Sequence, residues 1–139
     1  MKIDYCIISA GGEGSRLANL TRGIPKPIFP VRSISCLERS IILILKSNIK
    51  KLFISISFNS ETIIKSIENF RDKYNIDIEI FEEKIPLGEC GCIWKLSNKI
   101  SGNILFLNGD LIWNIDLDRF LNFHLQKDSD ITLVTHTST

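Results

Sequence analysis

Along this chain, short apolar or alternating runs repeatedly give way to stretches in which apolar residues recur at helical spacing. Ile3 to Ser9 is a nearly continuous apolar run and predicts a buried first strand. Pro25 to Ser35 carries three prolines and no apolar periodicity, which predicts a loop. Ser35 is placed to cap a helix from about Cys36 to Asn48, with Leu37, Ile41, Ile44 and Leu45 on its inner side. Leu52 to Ser57 alternates serine with large apolar residues and predicts a second strand. Ser60 to about Tyr74 predicts a helix, with a cap, an acid in the first turn and an apolar stripe of Ile63, Ile64, Ile67 and Phe70. Ile76 to Phe81 puts Ile76, Ile78 and Ile80 on one face and Asp77 and Glu79 on the other, as in a strand near a sheet edge. A short helix over Glu89 to Lys99, a buried strand over Asn103 to Leu107, a helix over Asp116 to Gln126 and a last strand over Asp130 to Thr135 complete the series. The order β-α-β-α-β-α-β-α-β predicts an α/β fold in which helices cover a parallel sheet. No repeat, low-complexity tract or linker interrupts it, and one domain is expected over residues 1–139.

Composition narrows the function. With 139 residues, 44% hydrophobic and 24% charged, the chain can bury one core. A formal net charge of +1 gives no broad footprint for nucleic acid or an anionic membrane, so any phosphate recognition has to be local. The longest apolar run, Ile41 to Leu45, falls far short of the roughly 20 residues that span a bilayer. Asp4 interrupts the N-terminus where a secretory signal would continue, so a cytoplasmic protein is expected. Cys6, Cys36, Cys90 and Cys92 lack zinc-site spacing and are expected to be reduced, structural thiols.

Ligands of such sheets bind beyond the carboxyl ends of the strands, where the glycine-rich loop, the Pro86-Leu87-Gly88 turn and Asp110 all fall. In Gly11-Gly12-Glu13-Gly14-Ser15-Arg16-Leu17 the glycines remove side chains where backbone amides approach an anion, and Arg16 adds a planar fork of donors. No Gly-Lys-Ser/Thr ending makes it a Walker loop. Ser57, Phe58 and Asn59 stand where a dinucleotide site would carry its acid, which counts against a nicotinamide-dependent oxidoreductase. Pro25-Lys26-Pro27 stiffens the backbone on both sides of one ammonium. Asn108-Gly109-Asp110 puts a carboxylate, a hard oxygen ligand suited to magnesium, at a strand's carboxyl end. Asp116 is read as a helix cap and His124 and His136 as ordinary polar positions.

Taken in order and spacing, the glycine loop, Pro25-Lys26-Pro27, Pro86-Leu87-Gly88 and Asn108-Gly109-Asp110 resemble the bacterial sugar-1-phosphate nucleotidyltransferases, nearest the guanylyltransferases acting on mannose or D-glycero-D-manno-heptose 1-phosphate. The segments Asp116 to His124 and Ser129 to Val134 are similar to forms joined to a HAD-type phosphatase. The resemblance implies a Rossmann-like three-layer α/β/α sandwich with a mostly parallel sheet, C-terminally truncated, so that residues 1–139 are the nucleotide-binding portion. It implies transfer from a nucleoside triphosphate to a sugar 1-phosphate, giving a nucleotide sugar and pyrophosphate, with Mg2+, in the synthesis of cell-surface polysaccharide precursors. By position, Arg16 and Lys26 serve catalysis. Ala10, Gly11, Gly12, Gly14, Ser15, Arg16, Glu83, Pro86 and Gly88 bind the nucleotide, Asn108 and Gly109 lie toward the sugar phosphate, and Asp110 holds the metal. Glu83 falls where relatives place a residue against the base. A carboxylate accepts two hydrogen bonds and guanine offers N1–H beside its exocyclic amine, so guanine is favoured.

Two features depart from the family pattern. Glu89-Cys90-Gly91-Cys92 replaces a small or hydroxylic residue after the Pro-Leu-Gly turn and brings a carboxylate near the ligand. The chain also ends at Thr139, before the region where relatives supply a second metal-binding aspartate and a lysine for the sugar phosphate. A nucleotide-binding or regulatory module that cannot complete transfer alone is therefore the alternative function. A homo-oligomer or an association with a HAD-type phosphatase is compatible with either.

Overall fold

Four parallel strands carry the structure: β1 (Tyr5–Ser9), β4 (Lys51–Ser57), β5 (Ile78–Glu83) and β6 (Ile104–Asn108), in the spatial order β5-β4-β1-β6. The computed structural model describes residues 3–12, 18–47, 49, 51–57, 61–85, 87–88 and 90–135. Between the strands run α1 (Ala18–Thr21), a hairpin of β2 (Pro30–Val31) and β3 (Ile34–Ser35), α2 (Cys36–Leu45), α3 (Glu61–Tyr74) and α4 (Gly91–Leu96); α5 (Leu117–Gln126) follows β6.

The pleat divides the sheet into two chemically different faces. Cys6, Ile8, Leu52, Ile54, Ile56, Ile78 and Leu105 form one core with Leu37, Ile41 and Ile44 of α2, Ile63 and Ile67 of α3, and Leu121 of α5. On the other face Ile7 and Phe53 pack with Cys92 and Leu96 of α4 and with Ile100. Helices on both faces make the three-layer α/β/α sandwich that the resemblance implied, with its main sheet wholly parallel.

Local chemistry explains the boundaries. The Ser35 side chain accepts from the Glu38 amide and caps α2, and Asp116 does the same for α5 through Arg119, so Asp116 is a cap as the sequence predicted. Inside α2, Glu38 is 7% exposed and accepts from Lys73 Nζ at 2.8 Å and Tyr74 Oη at 2.7 Å, which ties α2 to α3. Burial opposes its ionisation, but those hydrogen bonds and the Lys73 charge outweigh it and hold the carboxyl below its ordinary range. On β5, Glu79 bridges Lys51 and Lys99.

Several expectations are corrected. Residues 130–135 form no strand: Ile131, Leu133 and Val134 are exposed, and the segment meets α5 through Thr132 Oγ1 and His124 Nδ1 at 2.8 Å. β-branched composition makes a strand only where a neighbouring strand and a buried face accept it, and no described residue supplies them here. Pro25 to Ser35 is not a featureless loop; it holds a tight 3-10 turn at Lys26–Ile28 and the β2–β3 hairpin, whose Arg32 and Ser33 take positive φ. Leu45, expected inside, is 41% exposed because α2 ends there. Ile104 opens β6 at a sheet edge and is 37% exposed, so that strand is only partly buried. β5 does lie at an edge, as its alternation predicted, but runs two residues further than expected and takes in Glu83. The helix over Glu89 to Lys99 shortens to Gly91–Leu96.

Candidate active site

Parallel strands deliver all their carboxyl ends to one edge of the sheet, and there the face that packs α4 changes character. Register places Tyr5, Ile7 and Ser9 beside Lys51, Phe53 and Ser55 on one side and Ile104, Phe106 and Asn108 on the other. Phe53, Ser55 and Ser57 in turn lie beside Glu79, Phe81 and Glu83. Aromatic and aliphatic residues occupy the middle of this face, and Ser9, Ser55, Ser57, Glu83 and Asn108 finish it. The site thus has a polar floor on an apolar base. Its serines were visible in the sequence only as strand alternation, because a buried hydroxyl shows its purpose through its partner.

The chain leaves β1 through Ala10 and Gly11 along the end of β4. Ala10 N donates to Ser55 O at 2.8 Å, and Ser57 Oγ donates to Gly11 O at 2.7 Å. A β-carbon at Gly11 would stand 3.0 Å from the Ser57 amide nitrogen, a tight approach that favours glycine. Gly12 faces open space and is exposed. Gly14, Ser15 and Arg16 lie outside the described residues, as do Pro86 and Glu89.

On the other side of β1, Gly109 N donates to Ser9 O at 2.7 Å, and a β-carbon at Gly109 would stand 2.9 Å from that oxygen. Glycine there draws the loop after β6 against β1 and fixes where Asp110 begins. Trp113 Nε1 donates to Ser40 Oγ at 3.1 Å, which pins the same loop to α2. Asn108 is the exposed last residue of β6 rather than the first of a loop.

Lys26 opens the 3-10 turn directly after Pro25, with Pro27 buried behind it; Ile28 and Phe29 both donate to Pro25 O. Its Nζ reaches Asp110 Oδ2 at 2.6 Å, with both side chains about one-third exposed. The lysine and the carboxylate singled out from separate motifs are therefore one contact. Asp110 fits magnesium in kind, as one hard oxygen ligand on an exposed edge, since that ion ordinarily takes one or two carboxylates and completes its shell with water and substrate phosphate. Among the described residues no three His, Cys, Asp or Glu side chains cluster as a self-sufficient metal cage.

Glu83 ends β5 and is partly buried. Its Oε1 accepts from Ser55 Oγ at 2.6 Å and its Oε2 from Leu87 N at 3.0 Å, which anchors the loop carrying Gly88. Gly88 is exposed with φ +80°. All four cysteines are free, with Cys90 exposed and the other three buried. No helix among the described residues is long and apolar enough to cross a membrane.

Residues 5–139 match the nucleotidyl transferase family. The chain is 35% identical over 114 residues to D-glycero-alpha-D-manno-heptose 1-phosphate guanylyltransferase of Campylobacter jejuni, covering 81% of this chain and 50% of that protein. It is 28% identical over 131 residues to the mannose-1-phosphate guanylyltransferase catalytic subunit beta of Danio rerio, covering 92% of this chain and 36% of that one. Among solved structures, HddC from Yersinia pseudotuberculosis superposes with a TM-score of 0.75 at 26% identity, over 90% of this chain and 55% of its own. The chain thus spans about half, or less, of the length of these relatives.

Proposed function

The chain belongs to the nucleotidyl transferase family, and on that premise we propose that it forms the nucleotide-binding portion of a sugar-1-phosphate guanylyltransferase serving polysaccharide precursor synthesis in the cytoplasm. The observation that carries this reading is the contact of Lys26 with Asp110 at 2.6 Å, at the sheet edge where the glycine loop leaves β1. In the reaction a phosphate oxygen of the sugar 1-phosphate attacks the α-phosphorus of GTP, the bond from that phosphorus to the bridging oxygen breaks, and pyrophosphate leaves. Backbone amides of the loop after Gly11 and the guanidinium of Arg16 hold the triphosphate. Lys26 supplies a fixed positive charge where the attacked phosphoryl group gathers negative charge. Asp110 would hold Mg2+, which when bound neutralises phosphate charge. Ala10, Gly12, Gly14, Ser15, Pro86 and Gly88 line the nucleotide, and Asn108 and Gly109 face the sugar phosphate.

Guanine follows from Glu83, whose carboxylate matches the paired donors of that base. The relatives named as guanylyltransferases, and a crystal structure of HddC complexed with GMP-PN, support the choice.

Thermal unfolding with GTP, UTP, dTTP, CTP, ATP and NAD, each with and without Mg2+, tests this reading. A magnesium-dependent stabilisation largest for GTP is expected; equal or absent shifts across the panel would sink it. A second reading is a nucleotide-binding module that cannot transfer alone. Binding of GTP without pyrophosphate release when mannose or heptose 1-phosphate is added would decide for it.

A further inference from the structure

A serine in the middle of a sheet has to be explained. Ser55 lies on β4, between β1 and β5, and is 1% exposed. Its strand neighbours Leu52, Phe53, Ile54 and Ile56 are fully buried apolar residues. A hydroxyl in that setting forgoes apolar burial and has to be hydrogen-bonded to be tolerated. Its bond is to Glu83 Oε1, at 2.6 Å, reached diagonally across the β4–β5 pairing on the face that becomes polar at the carboxyl edge. Leu87 N takes the other carboxylate oxygen at 3.0 Å. Cys92 of α4 lies against the same group: burial raises its thiol pKa, the Glu83 charge adds to that, and the Ser55 hydroxyl opposes it.

We propose that Ser55 is a positioning residue for base recognition, which together with the Leu87 amide locks the Glu83 carboxylate into the one orientation that reads guanine. The inference rests on the assignment of Glu83 to the base. A carboxylate offers about four lone-pair positions over its two oxygens. Ser55 takes one on Oε1 and Leu87 takes one on Oε2, leaving one on each oxygen. Two acceptors side by side are what the N1–H and exocyclic amine of guanine require. An unbraced glutamate would have to give up the rotamer freedom of a long side chain when the base binds, whereas the braced one has given it up on folding. Ser55 therefore acts on base affinity through Glu83 without touching the nucleotide.

The test measures dissociation constants of GTP, ITP and ATP, with Mg2+ present, for the chain and for Ser55→Ala, Ser55→Thr and Glu83→Gln, with urea midpoints recorded beside them. ITP keeps N1–H and lacks the exocyclic amine. For Ser55→Ala, about tenfold weaker GTP binding with ATP binding unchanged is expected, and Ser55→Thr, which keeps the hydroxyl, restores most of the GTP preference. Should the alanine variant unfold, Ser55→Cys, close in size and a much weaker donor, takes its place with the same expected direction. A loss shared equally by GTP, ITP and ATP, or an unchanged GTP-to-ATP ratio in Ser55→Ala while Glu83→Gln lowers that ratio, overturns the role of Ser55 and leaves Glu83 as the base reader. An unchanged ratio in Glu83→Gln overturns the assignment of Glu83 itself, and the inference with it.

Discussion

Lys26 and Asp110 stand 84 residues apart in the chain and meet at 2.6 Å between Nζ and Oδ2. Each is the other's counter-ion at an edge where both are expected to face phosphate and metal, so ligand binding has to exchange this contact for new ones.

Breaking the pair therefore separates binding from folding. Asp110→Asn is expected to abolish the magnesium-dependent part of the GTP stabilisation while lowering unfolding free energy by less than about 1 kcal/mol, because the pair is partly exposed. Lys26→Met is expected to leave folding equally intact and to lower any transfer rate by roughly 100-fold or more, the usual effect of removing a charge that stabilises the transition state. Urea unfolding and thermal shift, measured with and without Mg2+, check both. A several-kcal/mol loss of stability in either variant would assign the pair to the fold instead.

Stability falls on the acid side through Glu38. Its folded pKa lies below its unfolded one, so its contribution is present above the ordinary glutamate pKa of about 4.3 and is lost as pH drops through the folded value. Glu38→Gln is expected to cost about 1–2 kcal/mol at neutral pH and to flatten the acid limb of a plot of urea midpoint against pH. An unchanged acid limb in the variant would contradict the assignment.

Gly109→Ala brings a β-carbon to 2.9 Å from Ser9 O, a backbone atom that is itself hydrogen-bonded to Gly109. The loop has to shift away from β1, at a cost of about 1–3 kcal/mol. Because the shift carries Asp110 with it, the GTP stabilisation is expected to fall as well. Retention of both wild-type stability and the GTP shift would refute the close approach.

Thiol labelling checks the burial of the cysteines. Burial raises the thiol pKa of Cys6, Cys36 and Cys92, whereas Cys90 is exposed. One cysteine is expected to react rapidly with an aromatic disulfide reagent in the native chain, and Cys90→Ser to remove that fast phase. The remaining three follow only at the rate of unfolding.

Much of the architecture was legible because it rests on local chemistry. Ser35 and Asp116 announce their caps, and Ile63 and Ile67 announce the buried stripe of α3. What could not be read is what depends on neighbours. Asp130 to Thr135 has strand composition, yet pairing is a property of two segments and one cannot establish it alone. Leu45 fits the apolar stripe of α2, but only the end of the helix explains its exposure. In the site, spacing in the sequence picked out Lys26 and Asp110 separately; only the fold makes them a pair. Ser55 and Glu83 lie 28 residues apart, and nothing in either residue's surroundings in sequence joins them.

One face of the sheet keeps its aromatic residues at mid-strand and its hydroxyls at the carboxyl ends. This separation leaves the two halves with different tolerance to substitution. Phe53 and Ile7 sit where nearly any change weakens the core, while Ser9 and Asn108 are small polar residues at strand ends and Ser57 is held there by its hydroxyl on Gly11 O. Changes confined to the exposed strand ends leave the folded body below them in place.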